Sequence, residues 1–349
     1  ILTAEYLERP WRIEISDKML TDESVNRTFV TLAAPSLEGK TQSAFVFEEL
    51  IPLYFSLNPK DSLKDAQEIY LNYTSLSTAI EAYAKRDVMN FVGKDSNLSN
   101  ENYEKISYTE LACRYDEKNS FVLGFLCSLV EDAKENYLTK PPGERGPWMK
   151  YHAERDGKDF SFESKSISQF KEIRDEFKEF CLFLDEFVGE DWAIFTRNIA
   201  RAAGLKCIVA NTNAKIANLT GKSSVNYSGL SSDVRNVWSI VITSLGHISW
   251  KVLKRKYLTL ETKLNAMIGA IGNKYTEDKQ LLMDFLGRDE LKYLRPGLAD
   301  SLAYSITSGE ININPQSTFA KILAEFTRVL AVGMKIRKSN NISSDYGHA

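Results

Sequence analysis

A short β-prone apolar run, Phe29-Val30-Thr31-Leu32-Ala33, passes without a break into Ala34-Pro35-Ser36-Leu37-Glu38-Gly39-Lys40-Thr41. No other stretch limits the fold as strongly. The residues that follow, Gln42 to Leu50, place apolar side chains at Ala44, Phe45, Phe47 and Leu50, a spacing that predicts a helix. The order is strand, Gly-Lys-Thr turn, helix. A phosphate chain is densely negative, and binding it takes converging backbone N–H groups, a helix N-terminus and a mobile cation. The pattern G-x-x-x-x-G-K-[ST] supplies all three. Gly39, Lys40 and Thr41 match it, and Ala34 stands where the first glycine is expected. Ala34 limits positive φ, and Pro35 removes an N–H donor. An isolated Gly-Lys-Thr is often a surface turn, so the strand before it and the helix after it give the motif its weight. On this reading Ala34, Pro35, Ser36, Leu37, Glu38, Gly39, Lys40 and Thr41 cradle a nucleotide phosphate chain. Lys40 reaches the β- and γ-phosphates, Thr41 is a Mg²⁺ ligand, and ATP and Mg²⁺ are the expected cofactors.

A second feature adds to the first. Leu182-Phe183-Leu184-Asp185-Glu186 is a buried-strand pattern ending in two carboxylates. At such a strand end the aspartate can hold Mg²⁺ and the neighbouring glutamate can polarise the attacking water. Asp185 is therefore assigned to the metal and Glu186 to the general base, against the alternative of a solvated acidic turn. A further strand, Lys206 to Ala210, ends in Asn211-Thr212-Asn213. Asn211 and Thr212 are candidates to contact the γ-phosphate or the lytic water, although polar strand ends also start ordinary turns. Between these strands, Arg197 and Arg201 are four apart and share one helix face. Either one, or Arg235, is a candidate to stabilise charge on the transferred phosphoryl group; the alternative is an ion pair with Glu190 or Asp191.

Other elements follow from periodicity and turn chemistry. Pro52 to Leu57 predicts a strand, and Leu76 to Phe91 and Phe121 to Tyr137 predict helices. Residues 92–105 predict an exposed loop, Lys140 to Pro147 a break, and Arg155 to Lys158 a charged loop. Phe170 to Glu179 predicts a charged helix, and Trp192 to Ala203 a helix closed by Gly204. Val237 to Leu245 predicts a strand, and Thr259 to Ile271 and Ser317 to Met334 predict helices. The expected architecture is an α/β three-layer P-loop NTPase sandwich with a mostly parallel sheet, which the resemblance given below narrows to the ASCE type. Its domain spans residues 1–249 with a helical insertion at about 90–180, and a mostly helical region occupies 250–349.

The chain has 349 residues, 43% hydrophobic and 26% charged, with a formal net charge of -3. These values fit a globular protein and give no global field toward nucleic acid or anionic membrane. The basic runs Lys251 to Lys256 and Lys335 to Lys338 read as solvated helix faces first and as nucleic-acid contacts second. Cys113, Cys127, Cys181 and Cys207 show no metal-ligand spacing, and His152, His247 and His348 are widely separated. The cysteine pattern fits a reducing compartment, and the sequons at Asn26, Asn72, Asn97 and Asn218 read as chance. No apolar stretch is long enough to span a bilayer. The start of the chain carries too many charges for a signal peptide and reads as a processing boundary, with flanking domains expected beyond it.

Four blocks carry a family resemblance: Ala34 to Thr41 after a strand, Leu182 to Phe187, Arg197 to Leu205, and Val209 to Lys215. Together they resemble the P-loop domain of Crinkler-type proteins, oomycete effectors related to host-directed and mobile-element NTPases. The resemblance covers about residues 29–245. It implies an ATPase fused to an effector module, often nuclease-like or kinase-like, delivered into a host cell with nuclear targeting. The N-terminal translocation header of that family and a nuclease carboxylate-and-lysine set are not found here. Three functional readings stand. The first is a Mg²⁺-dependent ATPase whose hydrolysis drives a neighbouring module, with self-association or a host protein as partner. The second is a nucleotide-gated switch with little turnover. The third is a DNA-processing effector with a regulatory P-loop.

Overall fold

The computed structural model describes residues 29–34, 39–45, 47, 50–57, 72–92, 118–176, 179–187, 190–211, 239–242, 245, 250–270, 276–287, 296–311, 321, 324–326 and 328. Five apolar runs form strands: β1 (Phe29–Leu32), β2 (Ile51–Ser56), β3 (Phe180–Asp185), β4 (Lys206–Ala210) and β5 (Ser239–Ile242). They make one sheet in the order β2-β3-β4-β1-β5, and every pairing is parallel. Every residue of β1, β3 and β4 is buried, as near-continuous apolar strands in a parallel sheet require. An α/β fold with a parallel sheet is thus the observed class.

Strand alternation separates the two faces. One carries Phe29, Leu53, Phe55, Leu182, Leu184, Cys207 and Val209; the other carries Val30, Leu32, Tyr54, Ser56, Phe183, Asp185 and Ile208. The first face meets helices. α2 (Thr74–Val92) packs on β2, on α3 (Phe121–Ala133) and on α6 (Asp191–Ala202), and α6 packs on β4. Phe55 packs against Phe125 of α3 with ring centroids 6.3 Å apart. On the second face Tyr54 packs against Phe45, Tyr73 and Phe183.

Several local signals act as expected. Ser120 caps α3 by accepting the Leu123 N–H (3.1 Å). The buried Asp87 carboxylate accepts the Phe121 and Val122 N–H groups and the Ser120 hydroxyl at the same helix end. Gly204, at φ +79°, closes α6. Its N–H bonds Arg201 O (2.8 Å) and the Leu205 N–H bonds Ala200 O (2.9 Å), the paired bonds of a Schellman end.

Other segments depart from expectation. The helix expected over Gln42 to Leu50 is one turn, α1 (Lys40–Ser43), followed by a turn at Ala44 and Phe45. Ser43 Oγ donates back to Lys40 O (2.5 Å), and the Ala44 and Phe45 N–H groups bond to the residues three back. These bonds tighten and end the helix. The helix placed at Phe170 to Glu179 is α5 (Ile167–Glu176), because Phe180 already belongs to β3. A π turn, Lys134–Leu138, extends α3. The charged loop Arg155 to Lys158 is a paired network, in which Asp132 meets Arg155 (3.0 Å), Lys158 and the Tyr151 hydroxyl (2.7 Å). Of the loop expected at 92–105, Val92 is the last residue of α2 and the rest lies outside the described residues, as do most of the helix at 317–334 and the basic run 335–338.

As the edge strand, β2 has an outer row of backbone groups for side chains to pair. Trp148 Nε1 donates to Pro52 O (2.7 Å) and the Ser56 N–H donates to Ser77 Oγ (2.9 Å). Between them the Tyr54 N–H donates to His152 Nε2 (3.1 Å), which also lies 3.0 Å from Tyr54 O. Trp148 and His152 both belong to α4 (Trp148–Ala153), so one short helix seals an edge otherwise open to strand addition.

The described residues separate into two compact units, 29–34 with 40–242 in one and Gly39 with 245–328 in the other. In the second, α7 (Trp250–Lys256), α8 (Leu260–Ala270) and α10 (Pro296–Ser308) enclose a core of Trp250, Leu253, Leu260, Leu264, Leu302 and Ile306. α9 (Thr276–Gly287) lies between α8 and α10 in the chain. Part of the basic run of α7 is paired, Lys254 with Glu261 (3.0 Å) and Lys256 with Asp300 (2.6 Å). Among the described residues no helix is long and apolar enough to cross a membrane.

Candidate functional site

In open parallel sheets, ligands bind outside the carboxyl ends of the strands, where crossovers leave in opposite directions. In the order of the sheet the strand after β1 stands beyond β4, while the strand after β4 stands beyond β1. The carboxyl ends of β1 and β4 are therefore the switch point. Ala33 and Ala34 leave one and Asn211 leaves the other, and the Asn211 N–H bonds Leu32 O (3.1 Å).

Around this point the structure gathers several residues singled out from the sequence. Thr41 Oγ1 donates to Asp185 Oδ2 (2.5 Å), joining the Gly-Lys-Thr turn to the acidic strand end across 144 positions of sequence. Lys40 is 6% exposed, and its ammonium donates to Ala34 O (2.7 Å), the carbonyl that opens the loop. Gly39 has φ +91°, a left-handed conformation that glycine adopts without strain. Pro35, Ser36, Leu37 and Glu38 lie outside the described residues, as do Thr212, Asn213 and Arg235.

Asp185 is fully buried. Burial pushes its carboxyl up, while hydrogen bonds from Thr41, Tyr54 and the Glu186 N–H, and the nearby Lys40 charge, act the other way. Tyr54 donates its hydroxyl to the oxygen that Thr41 uses (2.8 Å), and the Glu186 N–H donates to Oδ1 (2.9 Å). Glu186 has φ +49°, a conformation uncommon for a residue with a Cβ. It turns the chain sharply at the end of β3 and leaves the half-buried Glu186 beside Asp185. Asn211 contributes differently from expectation: its side-chain amide donates to Phe187 O and clasps the turn that holds Glu186.

Both arginines lie against Phe29, at the other end of β1 from this point, and Arg197 also reaches Phe187, next to Glu186. Arg201 is 2% exposed, with its guanidinium 5.0 Å from the Phe29 ring centroid. Arg197 lies 4.5 Å from the same ring and 5.7 Å from that of Phe187, and bonds Asn198 Oδ1 through Nε and Nη2 (3.1 Å each). Phe29 opens β1 and points to the helix-covered face; Asp185 ends β3 and points to the other. Glu190, offered as an ion-pair partner, accepts the Trp192 indole N–H (2.6 Å).

Sequence reasoning passed over Tyr54 and Ser56. Ser56 is the register partner of Asp185, and Tyr54 shares its face. Their alternation within β2 was readable, but their neighbour across the sheet was not.

The oxygen set suits a hydrated Mg²⁺. Such an ion takes one or two protein oxygens and completes its shell with water and phosphate. Thr41 and Asp185 present one hydroxyl and one carboxylate side by side. Among the described residues no three His, Cys, Asp or Glu side chains form a self-sufficient metal cage. The described cysteines are not suited to reaction: burial pushes the Cys127 and Cys207 thiols up to about 12 and the Cys181 thiol higher still. No family model matches this chain, and no curated protein or solved structure matches it.

Proposed function

We propose that the sheet unit is an ASCE-type P-loop domain that binds ATP with Mg²⁺ and hydrolyses it, coupling turnover to a neighbouring module or partner. The observation that carries this reading is the Thr41–Asp185 hydrogen bond at the switch point, because it joins the two motifs that phosphate and metal binding need. The strand order supports it as well. β4 stands between the Gly-Lys-Thr strand and the acidic strand, the additional-strand arrangement expected of that class.

In this reading Lys40 exchanges its bond to Ala34 O for phosphate oxygens. Thr41 and Asp185 hold the cation, which when bound neutralises phosphate charge. Glu186 takes the proton of the attacking water, and Asn211 positions Glu186 by clasping Phe187. Arg197 and Arg201 have no part in it. The Crinkler-type resemblance and delivery to a host nucleus rest on the sequence blocks alone.

The test is Mg²⁺-ATP binding and turnover by the purified chain beside Lys40→Ala and Glu186→Gln. Hydrolysis by wild type, loss of binding in Lys40→Ala, and binding without turnover in Glu186→Gln is the expected pattern. Absence of ATP binding by wild type, with or without Mg²⁺, removes the reading.

A nucleotide-gated switch with little turnover is the second reading. It is favoured by α1, whose single turn offers less helix to support the phosphates than the motif ordinarily has. Binding without hydrolysis in wild type would select it.

A further inference from the structure

We propose that Ser56 is part of the same site and that its hydroxyl accepts a hydrogen bond from the water shell of the cation held by Thr41 and Asp185. The inference rests on the nucleotide reading above and extends it to a residue that no motif marks.

Ser56 ends β2 and pairs in register with Asp185, which ends β3. In parallel strands register partners leave the sheet on the same face. Tyr54, two residues earlier on β2, confirms the face by reaching Asp185 Oδ2. Ser56 is 7% exposed, and among the described residues its hydroxyl has no hydrogen-bond partner. Its backbone N–H is engaged by Ser77 Oγ (2.9 Å).

Buried hydroxyls are nearly always hydrogen-bonded, and each exception calls for an explanation. A serine hydroxyl rotates freely and finds any acceptor within reach. Here the neighbouring hydroxyls of Thr41 and Tyr54 both donate to Asp185. Among the described residues the Ser56 oxygen is a polar group on this wall that the protein itself leaves unused. Mg²⁺ keeps several of its waters when it binds, and those waters need acceptors close to the ligating oxygens. An orphaned oxygen at the strand end beside the metal carboxylate meets that need, whereas alanine would fill a purely structural position at lower cost.

The experiment compares the whole chain with Ser56→Ala in three measurements. Mn²⁺–ATP binding is followed by electron paramagnetic resonance of the metal, ATP binding in excess EDTA by calorimetry, and stability by thermal melting. Ser56→Ala is expected to melt at or above the wild-type temperature and to bind metal-free ATP unchanged. Its Mn²⁺–ATP affinity is expected to fall about tenfold, as when partners of metal-bound groups are removed. Unchanged Mn²⁺–ATP binding beside a normal wild type overturns the role of Ser56 and leaves the site reading intact. An equal loss with and without metal places the contact on phosphate and overturns the water-shell assignment. Failure of wild type to bind Mn²⁺–ATP removes the site reading and this inference with it.

Discussion

Replacing His152 with phenylalanine should change how stability depends on pH, because the ring is buried at the edge of β2. It stacks on Trp148 (5.6 Å between centroids), lies 5.7 Å from Tyr73 and 6.2 Å from Phe55, and accepts the Tyr54 N–H. Burial is the main cause that lowers its pKa from the ordinary 6.5 to about 4, and the Arg155 charge adds to it. The unfolded chain therefore takes up a proton as pH falls through 6.5, while the folded protein resists until about 4. The stability contributed by the neutral ring is complete above the unfolded value and is lost as pH falls through that window. At about 1.4 kcal/mol per pH unit this loss is about 3 kcal/mol. His152→Phe cannot titrate. At pH 7 it should be less stable by about 1–3 kcal/mol, because the buried Tyr54 N–H loses its acceptor. Near pH 4.5 the gap should close or reverse. Urea denaturation of both proteins at several pH values measures the difference free of the carboxylates they share. A gap that stays constant from pH 7 to 4.5 would refute the reasoning.

Two further substitutions test other parts of the molecule. A Cβ at Gly124, in the first turn of α3, would sit 2.9 Å from Phe162 Cδ2 and closer still to the Glu163 carbonyl oxygen. Gly124→Ala should therefore destabilise by about 1–3 kcal/mol in denaturant titration despite its better helix propensity, since backbone obstructs the methyl group. Tyr54→Phe leaves Asp185 two of its three donors, so metal-free ATP binding should persist while the Mg²⁺ concentration for half-maximal binding rises about tenfold; an unchanged requirement would show that the hydroxyl does not position the carboxylate.

The parts of this fold that were legible in the sequence are those written locally. The strands announced themselves as apolar runs, and Gly204 marked the end of α6 through the φ that its position demands. The segment after Thr41 misled because Ala44, Phe45, Phe47 and Leu50 satisfy a helical spacing. A tertiary contact of Phe45 with Tyr54 and a local bond from the Ser43 hydroxyl override that spacing. Strand order and register belong to the whole sheet, and so the pairing of Ser56 with Asp185 could not be read. The same holds for His152: nothing near it in sequence says that β2 is an edge strand whose backbone needs a partner.

The arginines show the same limit on the functional side, and they carry a prediction. Phe29 pairs with Cys207, and Cys207 with Leu182. Asp185 lies three residues beyond Leu182, about 10 Å along the strand, and its side chain leaves from the opposite face. A guanidinium stacked over Phe29 is thus separated from Asp185 by the sheet itself. Arg201→Met keeps most of the buried stem and removes the charge. It should cost about 2 kcal/mol of stability, the scale of a desolvated cation–π contact, while ATP binding by the folded fraction stays unchanged. If Arg201→Met kept full stability and bound ATP but lost turnover, the guanidinium would act on the phosphate after all, and the separation argued here would be wrong. If the prediction holds, Arg201 does not supply that charge, and in the proposed site Lys40 is the cation expected at the phosphates. A transferring phosphoryl group gains about a thousandfold or more in rate from an inserted arginine. Turnover by this chain alone should then be slow and should rise when another part of the chain, a second copy or a partner supplies that charge.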